Sequence, residues 1–232
     1  MTPGEISRPA ATDAQGAFPS LPVRAIAKRA IDFTAALILT IITAPLLVAA
    51  AIAVRVTTPG PSLFRQTRIG RNKQPFQVYK FRTMYEGSAE ADGTHREYVR
   101  KLLTEEQPPT GGKRGLYKLE NDARITRIGK LLRRTSIDEL PQLLNVLAGD
   151  MSLVGPRPAL PFETELIGEA HNARFDVLPG ITGLWQVSGR NRLTMREGLD
   201  LDVEYVARHS LGLDLMILLR TVPTVLSTRG AS

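Results

Sequence analysis

At 232 residues, with 43% hydrophobic and 23% charged side chains and no cysteine, the chain can hold one sizeable domain and excludes disulfides and thiolate metal sites. Its formal charge of +7 and pI of about 10.0 point to an anionic partner, whether nucleic acid, acidic lipid or a phosphorylated substrate. Three scattered histidines, His95, His171 and His209, fit no metal-ligand spacing.

Residues 1–22, rich in Ala, Pro, Ser, Gly and Thr and without hydrophobic period, read as a disordered tail that lacks the ordered parts of a signal peptide. Residues 33–54 carry no charge over 22 positions, enough at helical rise to cross a bilayer core. A soluble core helix is rarely so long and so uniformly apolar, so membrane insertion is expected and the partner is expected to be lipid rather than nucleic acid. Arg24, Lys28 and Arg29 precede the stretch, and Arg55, Arg65, Arg68, Arg71 and Lys73 follow it. Positive flanks on both sides place both ends in the cytoplasm. Pro45, after Ala44, removes the hydrogen bond to the Ile41 carbonyl and demands a kink. The expectation is a re-entrant helix-break-helix over about residues 30–55, with the freed carbonyls left to Thr40, Thr43 or water.

Thr57 to Pro61 read as a turn, and the basic run 62–84 contains the alternating piece 76–81, which suggests a strand or two. Lys80 and Arg82 share a face of such a strand and suit phosphate or a lipid headgroup, or simple solvation. Residues 86–118 look like an excursion, with a polar helix over 90–106 and a Pro/Gly loop. Its Gly111-Gly112-Lys113 lacks the spacing of a P-loop. In 122–134, Ile125, Ile128, Leu131 and Leu132 recur at helical spacing among Arg124, Arg127, Lys130, Arg133 and Arg134. Such a helix either lies on an anionic membrane or packs on the core with a basic exterior.

Residues 133–158, RRTSIDELPQLLNVLAGDMSLVGPRP, are the centre of the chain. Asp138 and Glu139 read as first-turn acids of an amphipathic helix carrying Leu140, Leu143, Leu144 and Leu147. Ser136 and Glu139 also fit a capping box, which would make the acids structural. Against that, Arg133 and Arg134 precede them, and Arg157 is held between Pro156 and Pro158. A carboxylate among phosphate-binding cations suits nucleophilic attack on phosphorus.

Residues 161–173 read as a polar helix with Glu163, Glu165 and Glu169 solvated. The glycine-rich 175–192 suits an ordered binding loop, with Trp185 stacking on a base or sugar or lying at the membrane interface. Asp200 and Asp202 either orient an active-site arginine or lie on the surface. The apolar 211–226, interrupted by Asp214, Arg220 and Pro223, reads as interfacial or packed rather than as a second span.

The segment TSIDELPQLLNVLAGDMSLVGPRP resembles the signature of the bacterial monotopic phosphoglycosyl transferases, also called bacterial sugar transferases. The apolar segment, KFRTM at 80–84, NDARIT at 121–126 and PGITGLWQVSGR at 179–190 match the same pattern in the same order. The resemblance implies an α+β, mostly helical monotopic membrane protein with a re-entrant anchor, amphipathic interfacial helices and a small β element. It implies one phosphoglycosyl transferase domain over 23–232, with a catalytic region at about 62–227. It also implies transfer of a sugar 1-phosphate from a UDP-sugar, UDP-glucose or UDP-galactose, to polyprenyl phosphate on the cytoplasmic face of the bacterial inner membrane, starting exopolysaccharide or surface glycan assembly. Asp138 would be the nucleophile, Glu139 a base or metal ligand, and both would hold Mg²⁺. Arg133, Arg157, Lys80, Arg82, Gln186 and Arg190 would bind phosphate or nucleotide sugar. A homodimer, and contact with anionic lipids, would be in keeping with it. Relatives often have Ser-Pro at the break, where this chain has Ala44-Pro45. Two rivals stay open: a membrane-anchored basic binding protein that needs neither acid, and a spanning transferase using single displacement.

Overall fold

In the computed structural model of the chain the described residues are 21–85, 100, 124–189 and 193–226. The tail at 1–20, the helix expected over 90–106 apart from Arg100, and Arg190 lie outside them.

The apolar stretch forms one helix, α1 (Leu21–Thr57), which starts earlier than the expected 30–55 and continues through Pro45. Thr40 and Thr43 donate to the Ala36 and Leu39 carbonyls, each at 2.7 Å, and not to the Ile41 carbonyl that Pro45 leaves without its N–H. Ile38, Ile41, Ile42, Val48 and Ile52 are 51–68% exposed, and only 11% of the most apolar window is buried. A soluble core helix would hide that face, and its exposure is in keeping with membrane association.

Both ends of α1 are bonded to the rest of the molecule. Near its start Arg29 donates to the carbonyls of Val146 at 2.6 Å and Leu147 at 3.0 Å. Just past its end Arg82 donates to the Thr58 carbonyl at 2.9 Å and hydroxyl at 2.8 Å.

After the turn come β1 (Leu63–Ile69) and β2 (Pro75–Phe81), antiparallel from Leu63 opposite Phe81 to Ile69 opposite Pro75. The basic helix is shorter than the 122–134 pattern: α2 (Arg127–Thr135) starts where the Thr126 hydroxyl accepts from the Gly129 N–H at 2.9 Å. It buries Leu132 with Ala50, Val54 and Phe81 and leaves Leu131 exposed. A 3₁₀ turn (Ile137–Gln142) then leads into α3 (Leu143–Ala148), which Gly149 ends with a left-handed φ of 98°.

Next come β3 (Ser152–Val154), α4 (Glu163–Leu166), a 3₁₀ segment (Glu169–Phe175), β4 (Gly180–Thr182), α5 (Leu184–Ser188), α6 (Met195–Arg208) and α7 (Leu211–Leu226). Strand β4 runs parallel to β3 and α5 follows it, so the described part of the stretch, 175–189, is not the loop its glycines suggest. The glycines serve backbone contact: a Cβ on Gly180 would lie 2.1 Å from the Gly155 nitrogen. The main core gathers Ala36, Val78, Val146, Met151, Val154, Tyr205 and Ile217 from α1, both sheets, α3, α6 and α7. Helix α7 buries Ile217 and exposes Leu215, Leu219 and Val222, in keeping with a packed or interfacial element.

A buried side chain ties the start of α3 to the first sheet. Asn145, fully buried in α3, accepts from the Tyr79 N–H at 3.1 Å and donates to the Gln77 carbonyl at 2.6 Å. It occupies the edge of β2 as a neighbouring strand would, and so fixes the turn before α3 beside Lys80.

Candidate active site

The acid pair sits on the 3₁₀ turn rather than in the first turn of an α-helix. Ser136 ends α2 with φ 57°, makes no side-chain cap, and redirects the chain sharply. The expected capping box is therefore not formed. Glu139 instead reaches β2, where its Oε1 accepts from Lys80 Nζ at 2.9 Å. Asp138, half-buried, precedes it in the same turn. Arg133, on the last turn of α2, donates Nε to the Thr83 hydroxyl at 2.8 Å, which orients it over the end of β2.

Arg82 goes elsewhere. It is 7% exposed and bonded to Thr58, so here it anchors the end of α1 and does not line the open site.

A second ionic set surrounds Arg157. Its Nη1 lies 3.4 Å from Glu163 Oε2, and its guanidinium stands 6.0 Å from the centroid of the Trp185 ring. Glu163 is only 1% exposed, contrary to the expected solvated helix, and also accepts from the Leu160 N–H at 2.7 Å. Trp185 is buried against Gly198, where a Cβ would lie 2.8 Å from the indole nitrogen, so it neither faces the membrane nor offers an open stacking platform. Arg174 donates to the Arg157 carbonyl and to Asp202 Oδ2, both at 2.7 Å. Asp202 is thus buried on Arg174, which also holds the Arg157 backbone, rather than lying on the surface. Asp200 lies apart, bonded to His171.

Arg68, which sequence patterning marked only as a flanking charge, lies between the two sets. Buried in β1, it donates to the Pro158 carbonyl at 3.1 Å. Burial and then the like charge of Arg157 lower its pKa to about 9, opposed by Glu163 and Glu139, so it stays cationic at neutral pH. Only the count of arginines hinted at this residue. Gln186 lies on α5 beside Trp185, its Oε1 buried without a hydrogen-bond partner.

Burial raises the Asp202 pKa against the pull of Arg174. Burial pushes Glu163 the same way, but Arg157, Arg68 and the Leu160 N–H outweigh it and hold its carboxyl below the usual range. A depressed carboxyl adds stability above its unfolded pKa of ~4.3 and loses it as pH falls through the lower folded value. Urea titrations from pH 6 to 3 should therefore show a steep acid loss of stability in the parent protein and a shallower one in Glu163→Gln.

Among the described residues no cluster of three or more His, Cys, Asp or Glu is present. Asp138 and Glu139 offer hard carboxylate oxygens in one turn, a donor set that fits Mg²⁺ when substrate phosphates and water complete the shell.

A turn carrying two acids, one of them paired with Lys80 and within the field of Arg68, beside an exposed apolar helix, makes a site suited to anionic groups at a membrane. Residues 23–228 match the bacterial sugar transferase family, and the chain belongs to it. It is 42% identical over 212 residues to the UDP-glucose:undecaprenyl-phosphate glucose-1-phosphate transferase of Caulobacter vibrioides, covering 88% of this chain and 71% of that protein. It is 39% identical to the exopolysaccharide production protein ExoY of Rhizobium meliloti, covering 90% of each. It is 44% identical to the galactosyl transferase CpsE of Streptococcus agalactiae, covering 89% of this chain and 43% of that longer protein.

Proposed function

We propose that the protein transfers a hexose 1-phosphate from UDP-glucose or UDP-galactose to undecaprenyl phosphate at the cytoplasmic face of the bacterial inner membrane, the first membrane step of exopolysaccharide synthesis. The observation that carries this is the acid pair, its Glu139 held by Lys80, on a turn directly followed by residues packed against the exposed apolar helix. A soluble donor and a lipid acceptor can both reach such a turn.

Asp138 attacks the β-phosphorus of the donor, the bond to the UMP oxygen breaks, and UMP leaves as the anion. An oxygen of the lipid phosphate then attacks the same phosphorus and the carboxylate of Asp138 is regenerated. Two displacements let donor and acceptor use one site in turn. Arg133, Arg68 and Arg157 offset the charge of the phosphates, and Lys80 orients Glu139 beside the nucleophile. Mg²⁺, held by Asp138 and Glu139, would supply neutralisation of the diphosphate.

Helix α1 serves as a re-entrant anchor that does not span. Lys28 and Arg29 at one end and Thr58 at the other are bonded to the same body, which supports both ends lying on one side of the bilayer. Purified protein with Mg²⁺, UDP-hexose and undecaprenyl phosphate should release UMP and form a lipid diphosphate-linked hexose in equal amounts. A basic binding protein without chemistry would release none.

A further inference from the structure

We infer that Gln66 is a positioning residue: it turns the Arg68 guanidinium along β1 toward the Lys80–Glu139 pair without neutralising it, so that the cation is presented to a phosphate group. This role rests on the function proposed above and adds the residue that aims one of its cations. In the antiparallel hairpin Phe64 stands opposite Lys80, Gln66 opposite Val78 and Arg68 opposite Phe76, so alternation puts Gln66, Arg68 and Lys80 on one face. Lys80 reaches Glu139 from that face. Gln66 Oε1 accepts from Arg68 Nε at 3.1 Å and from Nη2 at 2.7 Å, which draws the guanidinium back toward the position that lies between Arg68 and the Lys80–Glu139 pair. The charge of Glu139 is among those that act on it.

Among the described residues the hydrogen-bond partners of Arg68 are all neutral. Its remaining bond runs from Nη1 to the Pro158 carbonyl at 3.1 Å. Arg157 and Arg174 are instead paired with carboxylates, Glu163 and Asp202. A buried guanidinium with no counter-ion in contact is costly, and Arg157 adds like charge to that cost. An anion at the guanidinium relieves both. Of its five N–H groups three are taken, which leaves one on each terminal nitrogen for phosphate oxygens. A carboxylate in place of the Gln66 amide would hold the guanidinium equally well and cancel its charge, whereas the amide holds it and leaves the charge for a ligand. The Pro158 loop is docked without Arg68 as well, since Ile69 and Ala159 exchange backbone hydrogen bonds at 2.8 and 3.3 Å.

The test compares Gln66→Glu, which keeps the acceptor oxygen and adds a charge, with Gln66→Met, which keeps the length and removes the acceptor, in full-length protein in nanodiscs. Gln66→Glu should keep the parent's thermal midpoint and yet weaken calorimetric binding of UDP about tenfold, the scale of one hydrogen bond to a charged group, and Gln66→Met should weaken it by a similar factor. The KM for UDP-hexose should rise with it. Thr67→Glu, exposed on the opposite face of the hairpin, should leave affinity and KM unchanged. A rise in the KM for undecaprenyl phosphate alone, with UDP affinity kept, would put the lipid phosphate at Arg68 in place of the donor diphosphate and uphold the aiming role. Parent-like UDP affinity and KM for both substrates in Gln66→Glu, equal losses in Thr67→Glu, or a loss in Gln66→Met alone that follows a lowered midpoint would overturn it and leave Gln66 a structural residue. UDP affinity that falls in Gln66→Glu, in a protein whose parent releases no UMP from any UDP-hexose, would uphold the aiming of Arg68 and remove the transferase assignment.

Discussion

Asp138→Asn is expected to lower sugar-phosphate transfer by at least ~10⁴-fold while the protein stays folded and membrane-bound. The amide matches the carboxylate in size, so packing of the 3₁₀ turn against α3 and β2 is kept, but it cannot attack phosphorus. Held by Lys80, Glu139 remains in place, and the arginines proposed to bind the donor are untouched. Donor affinity should therefore change far less than turnover. Turnover close to that of the parent, measured as UMP release with undecaprenyl phosphate present, would remove Asp138 as nucleophile.

Lys28→Met is expected to lower folding stability by about 3–5 kcal/mol, the range for breaking a buried ion pair from one side. Lys28 Nζ lies 3.1 Å from Asp32 Oδ1, 2.9 Å from Asp214 Oδ2 and 2.7 Å from Ser152 Oγ. Asp32 and Asp214 are 3% and 6% exposed, so removing the ammonium leaves two buried carboxylates facing one another's field. Tyr205 donates to Asp214 Oδ1 at 2.7 Å. Burial and then that carboxylate keep its hydroxyl protonated across the working range. The network joins α1, β3, α6 and α7, so its loss should free the start of the anchor as well as lower the thermal midpoint. Adding Asp214→Asn to Lys28→Met removes one uncompensated charge and should recover part of the midpoint. An unchanged midpoint in the single variant would show that the network contributes nothing to docking of the anchor.

The parts of the molecule that depend on local pattern were legible in the sequence. A charge-free run of 22 residues announced α1, and alternation announced β2, while the acids among arginines marked the turn that the structure places against Lys80. What escaped depends on partners far along the chain. Glu163 read as one of three solvated acids because charge alone says nothing of burial until Arg157 and Arg68 are known to close on it. Arg82 and Lys80 shared a motif, yet one anchors α1 and the other holds Glu139, since the strand ends at Phe81 between them. The parallel pairing of β3 with β4 was hidden by glycines that read as a loop, although they permit contact between backbones. Ser136 fitted a capping box by spacing but takes a left-handed conformation that breaks the helix instead.

Intact-protein mass spectrometry after incubation with Mg²⁺ and UDP-glucose or UDP-galactose, without lipid, tests the central claim most directly. The account predicts a mass gain of one hexose phosphate, mapped to Asp138 and discharged by undecaprenyl phosphate. Lipid-dependent UMP release with no adduct at any quench time, together with ternary-complex rather than ping-pong kinetics, would contradict it.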